Sequence, residues 1–77
     1  MASFPEAAYI VLKKARKPLN IAEITNKALS EGILVTQGKT PVRTMSASLY
    51  LENKRKFQRG RKTRFEFLGN NMWGLSA

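Results

Sequence analysis

The side chains able to do chemistry in this 77-residue chain are almost all cationic. There are 14 Lys and Arg residues against five acids, all of them Glu, and the net charge is +9. The chain has no His, no Cys and no Asp. Because these residues supply most general bases, nucleophiles and metal ligands, the sequence argues against an enzyme and predicts neither a metal nor a cofactor. The chemistry that remains is the binding of anions.

The cations are concentrated in the second half of the chain. Nine of them lie between residues 39 and 64, where Glu52 is the sole acid. Solubility does not require such a density, and its self-repulsion should cost stability unless a polyanion offsets it. The closely spaced phosphates of nucleic acid are the leading partner, and an anionic membrane surface is the second. By contrast, the pair Lys13 and Lys14 is expected to be a solvated face.

Two helix-start patterns predict the elements that open the chain. Ser3 followed by Glu6 forms a capping box for a helix over about residues 4–16, which Pro18 ends. Asn20 repeats the start signal before a second helix over about residues 21–31, with Gly32 as the residue that follows it. Leu19, between the two helices, is a candidate for a minimal strand.

The third start pattern is Thr40 followed by Pro41, a capping hydroxyl before a proline in the first turn. This helix is expected to end near Asn53 or Lys54 and to be followed by a flexible basic loop that contains Gly60. Residues 64–68 alternate as a strand, residues 69–71 are a turn, and residues 72–75 return as a second strand. A further turn is predicted at residues 37–39.

Three helices followed by a hairpin are the order of a winged helix-turn-helix, an α+β fold, and the length predicts a single domain over residues 1–77. The second and third helices form the helix-turn-helix, and the hairpin is the wing. The apolar side chains of the hairpin are expected to complete a small core. They are Phe65, Phe67, Met72, Trp73 and Leu75.

The residues from Gly38 to Tyr50, with their Gly-x-Thr-Pro stretch and the Met, Leu and Tyr that follow, resemble the HARE-HTH family. The resemblance extends back to Phe4-Pro5-Glu6 and forward to Trp73-Gly74-Leu75, so it covers about residues 4–75. The family consists of winged-helix domains in additional-sex-combs-like chromatin proteins, some restriction endonucleases and the delta subunit of bacterial RNA polymerase. The resemblance therefore implies a winged-helix fold.

Charge and layout together predict a double-stranded DNA-binding domain, as in a small transcriptional regulator, with the third helix in the major groove. The expected contacts come from that helix and its cap, the basic block of residues 54–64 and the wing tip at residues 70 and 71. They are Lys39, Thr40, Arg43, Thr44, Ala47, Tyr50, Lys54, Arg55, Arg59, Arg61, Lys62, Arg64, Asn70 and Asn71. The basic block is assigned to the phosphate backbone, which gives affinity without sequence information.

Several roles stay open from the sequence alone. Arg43 reads a base or touches a phosphate, and Tyr50 contacts DNA or lies at the edge of the core. Asn70 and Asn71 form the turn alone or also touch DNA. Exposed Leu51 would pack on a thymine methyl, meet a second protomer or lie under the basic loop.

The alternative function is a protein-interaction module of a transcription complex of the RNA polymerase-associated type. A homodimer on DNA is a further expectation if the target is palindromic. The N-terminal residues 1–6 lack the pattern of a signal peptide, and no apolar run is long enough to span a membrane, so we expect an intracellular protein without a membrane partner. Its location would be the cytoplasm or, in a prokaryote, the nucleoid.

Overall fold

A computed structural model of the chain describes residues 3–36 and 38–76. In chain order it contains α1 (Phe4–Ala15), β1 (Leu19–Asn20), α2 (Ile21–Ser30), α3 (Pro41–Gln58), β2 (Phe65–Phe67) and β3 (Met72–Leu75). The predicted α+β architecture of three helices and a closing hairpin is confirmed. The turn predicted at residues 37–39 includes Gln37, which lies outside the described residues.

The three strands form one antiparallel sheet with β3 in the centre, in the order β1-β3-β2. Leu19 pairs with Trp73 in the first ladder, and Trp73 also pairs with Phe67 in the second. The minimal strand for which Leu19 was a candidate is confirmed, and it extends over two residues, Leu19–Asn20. Through it, the sheet is joined to the start of α2.

The starts of α1 and α2 follow from their capping residues. The Ser3 hydroxyl accepts a hydrogen bond from the Glu6 N–H at 3.3 Å, and the Asn20 side chain accepts one from the Glu23 N–H at 2.8 Å. Both caps satisfy a backbone donor that the helix cannot. The carboxylate of Glu6, however, binds Arg64. The reciprocal half of the predicted capping box is therefore replaced by a tertiary ion pair.

The core lies where the three helices meet one face of the sheet. Its apolar side chains come from every element and include the connection between α2 and α3. They are Ala7, Ala8, Val11, Leu12, Leu19, Ile21, Ile24, Ala28, Leu34, Met45, Leu49, Phe65 and Trp73. Of the five hairpin residues predicted to be core, Met72 and Leu75 are half-buried. The prediction for Phe67 is wrong, because this side chain is 56% exposed and packs mainly against Trp73.

The end of α3 differs from the prediction by about one turn, since the helix continues to Gln58. Gly60 adopts a positive φ of 68°, its N–H donates to the Phe57 carbonyl, and the Arg61 N–H donates to the Lys56 carbonyl. These two bonds form a Schellman motif, in which glycine accepts the left-handed conformation without a Cβ penalty. Gly60 therefore ends a helix, rather than loosening a loop. The same motif ends α2 at Gly32, as predicted.

None of the helices within residues 3–36 and 38–76 combines the length and the apolar character needed to cross a bilayer.

Candidate nucleic-acid interface

Most of the surface of α3 faces solvent. Only Met45 and Leu49 are fully buried along its 18 residues, and they anchor the helix to α1 and α2. The outward side therefore does not contribute to the core. An exposed third helix of this kind is the element that helix-turn-helix domains insert into the major groove.

One outward strip of α3 combines positive charge with aromatic area. Arg43, Ala47, Tyr50, Lys54 and Phe57 follow one another at intervals of four and three residues, and all five are exposed. This spacing places them on the same side of the helix. Arg43, Ala47, Tyr50 and Lys54 are all among the contacts expected from the sequence. Phe57 joins the strip because α3 extends beyond Lys54.

A groove of about 760 Å³ separates this strip from the sheet. The far wall consists of Phe67 and Trp73, whose ring centroids lie 5.1 Å apart. Asn53, Thr63 and Asn71, the last of them in the hairpin turn, also line it. The groove thus has aromatic walls and two cations, Arg43 and Lys54, on the side of the helix.

The N-terminal end of α3 forms an adjoining cleft lined by Lys39, Thr40, Arg43 and Asn71. Thr40 occupies the N-cap position, but its side chain makes no capping hydrogen bond, so the predicted capping role of its hydroxyl is wrong. Its φ of −133° and ψ of 64° depart from the extended geometry of the two caps described above. Its carbonyl instead accepts from both the N–H and the hydroxyl of Thr44.

The hairpin turn lies beside this cleft because its backbone is tied to α2. The Asn71 carbonyl accepts a hydrogen bond from the Ile21 N–H at 2.9 Å. Asn70 and Asn71 have φ values of 50° and 60°. These values lie in the left-handed region, which Asn tolerates better than most residues. Both side chains are exposed. The wing tip, Asn70 and Asn71, therefore borders the same surface as Arg43. The two asparagines also form the turn.

The other flank of α3 carries a second cluster of cations. Arg55, Arg59 and Arg61 line a cleft of about 400 Å³ together with Leu51 and Pro5. Leu51 is 47% exposed, so the segment after the helix borders it without covering it. Thr44 is exposed nearer the start of the helix. Because successive residues of a helix diverge by about 100°, Lys54 and Arg55 point to different clefts.

Arg64 differs from the other cations of the block. Its guanidinium is hydrogen-bonded to both carboxylate oxygens of Glu52 and forms an ion pair with Glu6 at 2.9 Å. It also lies over the ring of Tyr9, 5.2 Å from the centroid. The hydrogen bonds that Arg64 donates to Glu52 raise the pKa of Arg64 above its ordinary value, and partial burial opposes this. The structure thus commits Arg64 to contacts within the protein.

Most of the other cations between residues 39 and 64 are exposed and, in the part of the chain that the structure describes, unpaired, and Lys56 is the exception. Lys56 lies 3.9 Å from Glu52 and is half-buried. Within residues 3–36 and 38–76, seven further cations between residues 39 and 64 make no ion pair and are exposed; they are Lys39, Arg43, Lys54, Arg55, Arg59, Arg61 and Lys62. The sole acid of that stretch, Glu52, is neutralised by Arg64. The surface around α3 is consequently positive on both flanks.

A smaller group of cations lies elsewhere. Lys13, Arg16 and Lys17, at the end of α1, border a cleft on the side of the sheet that carries Glu66 and Gly74. Residues alternate between the two faces of a strand, so this side is opposite to that of Phe67. The positive charge of the domain is therefore concentrated around α3 without being confined to it.

The sequence reasoning assigned Phe67, which lines this groove, to the core, and it did not single out Phe57. Phe57 is 81% exposed, the highest value among the large apolar side chains described. Two signals could have found it. Phe57 follows Tyr50 by seven residues, two helical turns, and Gly60 stands three residues later as a helix-ending glycine.

The exposed third helix, its α2 partner and the antiparallel hairpin define the protein as a winged helix-turn-helix domain. A model of the HARE-HTH family, described as a helix-turn-helix domain of ASXL proteins and restriction endonucleases among others, matches residues 2–77. The chain belongs to this family, and membership in a helix-turn-helix family implies DNA binding. Comparisons with curated proteins and with solved structures found no match.

Proposed function

We propose that this domain binds double-stranded DNA as a small transcriptional regulator, with α3 in the major groove. One observation carries the proposal: unpaired cations flank the exposed side of α3 in both adjoining clefts. Arg43 and Lys54 lie on one flank, and Arg55, Arg59 and Arg61 lie on the other. Phosphates on the two strands that border a major groove would face these two flanks.

Base reading in this arrangement falls to the first turns of α3. Arg43 and Ala47 are exposed there, with Tyr50 one turn further along. An Arg side chain that contacts guanine O6 and N7 contributes about 1–3 kcal/mol of discrimination. We assign this role to Arg43, because it shares a cleft with Thr40 and Lys39. In this proposal Thr40 and Lys39 hold the adjacent phosphate.

Backbone contacts fall to the end of α3, the segment that follows it and the wing tip. Arg55, Arg59, Arg61 and Lys62 supply charge, and Asn70 and Asn71 supply neutral hydrogen-bond donors. Arg64 is left out of this set because its guanidinium binds Glu52 and Glu6. Such contacts position the protein without carrying sequence information.

The salt dependence of duplex binding tests the proposal. If about five phosphates are neutralised, log K should fall against log salt with a slope of about −4 to −5. Fluorescence anisotropy with a labelled duplex at several salt concentrations measures this slope. A flat response would refute the proposal, since neutral contacts release no counterions.

A protein-interaction module of a transcription complex is the second candidate. The exposed aromatic side chains Tyr50, Phe57 and Phe67, which border one groove, favour it, because a cluster of this kind is typical of binding surfaces. This candidate predicts a stable complex with a transcription protein and a duplex affinity that is the same for all sequences. Selection of bound sequences from a random duplex pool distinguishes the two, and the solution mass of the protein–DNA complex shows whether a homodimer binds.

A further inference from the structure

The groove between α3 and the sheet is unusual for a surface that meets only base-pair edges. Three of its aromatic side chains are mostly in solvent: Phe57 is 81% exposed, Tyr50 is 61% exposed and Phe67 is 56% exposed. Leaving this much aromatic area in water is unfavourable, by roughly 25 cal/mol per Å² of apolar surface. An exposed apolar cluster of this kind marks a binding site.

The charges of the groove indicate the chemistry of its occupant. Arg43 and Lys54 both line it, and no acidic side chain does so among the described residues. Lys is depleted at protein–protein interfaces, whereas Arg and aromatic residues are enriched there, so Lys54 is the lining residue that disfavours a protein partner. Two copies of a chain with a net charge of +9 also repel each other. Aromatic faces beside unpaired cations instead match a nucleotide, whose base stacks while its phosphate is neutralised.

The dimensions of the groove fit this occupant. Its volume of about 760 Å³ falls within the range of about 300–1,000 Å³ found for small-ligand sites. Phe67 rests on Trp73 at an interplanar angle of 52°, so one side of its ring is held by the sheet. The opposite wall is the strip of α3 that carries Tyr50 and Phe57. A base that enters the groove would therefore have aromatic residues available on the sheet and on the helix.

We propose that this groove receives an unpaired base of the DNA to which the domain is bound, so that the protein prefers a duplex carrying a bulged base over a perfect one. The inference rests on the proposed function, because the flanking cations must first hold the duplex. A base in a perfect duplex is stacked between its neighbours and would have to be flipped out at a cost. A bulged base avoids most of that cost.

The test compares a perfect duplex with a duplex of the same sequence that carries one extra, bulged adenine. In a second set of probes, 2-aminopurine replaces that adenine. We expect the bulged duplex to bind at least about five-fold more tightly, as one stacked base should give. We also expect the fluorescence of the bulged 2-aminopurine to be quenched on binding. Phe57→Ala and Phe67→Leu should each reduce the preference and the quenching.

Leu51→Ala is the matched control, since Leu51 is an exposed apolar residue of α3 in the other cleft. It should keep both the preference and the quenching. Circular dichroism of each variant confirms that the fold is retained. Loss of the preference in Leu51→Ala, or its survival in both Phe variants, would overturn the assignment to this groove.

The remaining outcomes separate this inference from the proposed function. Equal affinity for the two duplexes, with the steep salt dependence intact, would overturn the inference and leave duplex binding in place. Absence of binding to either duplex would overturn both. Tighter binding to the same bulge in double-stranded RNA would overturn the assignment to DNA. A DNA-free dimer that Phe57→Ala dissociates would assign the groove to a second copy of the chain and overturn the inference.

Discussion

Arg64 binds Glu52 with two hydrogen bonds, one from Nε at 3.2 Å and one from Nη2, and thereby joins the residue before β2 to the middle of α3. Its third contact, with Glu6, reaches the first turn of α1. Arg64 thus connects three segments that are distant in the sequence, through its contacts with Glu52 and Glu6. Arg64 also neutralises Glu52, whose carboxylate would otherwise repel phosphates in the cleft lined by Arg55, Arg59 and Arg61.

Replacing Arg64 tests whether it serves the fold or the DNA. We expect Arg64→Ala to lower the free energy of unfolding by about 2 kcal/mol, since hydrogen bonds to charged groups contribute about 1.5–3 kcal/mol each and this side chain is part-exposed. Arg64→Lys should recover only part of this, because an ammonium cannot form the two-point contact. Urea unfolding measures both. Lys62→Ala, an exposed neighbour, is the control and should leave stability unchanged.

The same variant distinguishes a structural from a ligand role. If Arg64 contacts phosphate, Arg64→Ala will reduce the magnitude of the slope of log K against log salt by about 0.9 and leave the unfolding midpoint unchanged. That pattern would contradict the structural role.

Arg59 and Arg61 should contribute charge without sequence information. The double variant Arg59→Ala, Arg61→Ala is expected to weaken binding equally on all duplexes and to reduce the salt slope by about 2, because two phosphate contacts are lost. Anisotropy titrations on two unrelated duplexes at several salt concentrations measure both effects. Lys27→Ala, an exposed cation of α2, should change neither. A loss restricted to one duplex would show that these side chains read sequence.

Arg43 should behave differently from the cations that hold the backbone. On the sequence obtained by selection from a random pool, we expect Arg43→Ala to cost about 1–3 kcal/mol more than on an unrelated duplex, because a bidentate base contact is lost. Repeating the selection with the variant should show relaxed preference at one position. An equal loss on every sequence would make Arg43 a phosphate ligand.

Asn53 ties α3 to β2 through a hydrogen bond from its Nδ2 to the Phe65 carbonyl at 3.0 Å. Its buried Oδ1 has no hydrogen-bond partner among the described residues. Asn53→Ala should lower the free energy of unfolding by about 1–3 kcal/mol, because it leaves a buried carbonyl without its donor. Asn26→Ala, on the exposed side of α2, controls for loss of an amide in a helix. Equal unfolding midpoints for the two variants would refute this role.

The elements that begin with a local signal were predicted well. Ser3 and Asn20 cap α1 and α2, and Gly32 ends α2. The sequence could predict these contacts because each one joins residues only a few positions apart along the chain. The end of α3 was missed because residues 54–58 are mostly charged and lack an apolar period. Lys, Arg and Gln nevertheless favour a helix, and Gly60 supplies its ending.

The site was less accessible from sequence than the fold. The ion pair between Glu6 and Arg64 spans 58 residues, and no local pattern indicates it. Phe67 shares a strand face with buried Phe65, and alternation alone therefore assigns both to the core. It is the gap between α3 and the sheet, a tertiary feature, that leaves Phe67 in solvent. Which cations remain unpaired also depends on the tertiary structure, because the fold determines which of them lie beside Glu52.

The length of α3 bears on how such a domain would divide its contacts along a duplex. Its 18 residues span about 27 Å as a straight rod, more than twice the roughly 12 Å width of a major groove. A rod of that length cannot follow the curvature of the groove from end to end. Its first half, from Pro41 to Leu49, can sit against base edges. The half that carries Lys54, Arg55 and Phe57 must then emerge over the sugar–phosphate rim.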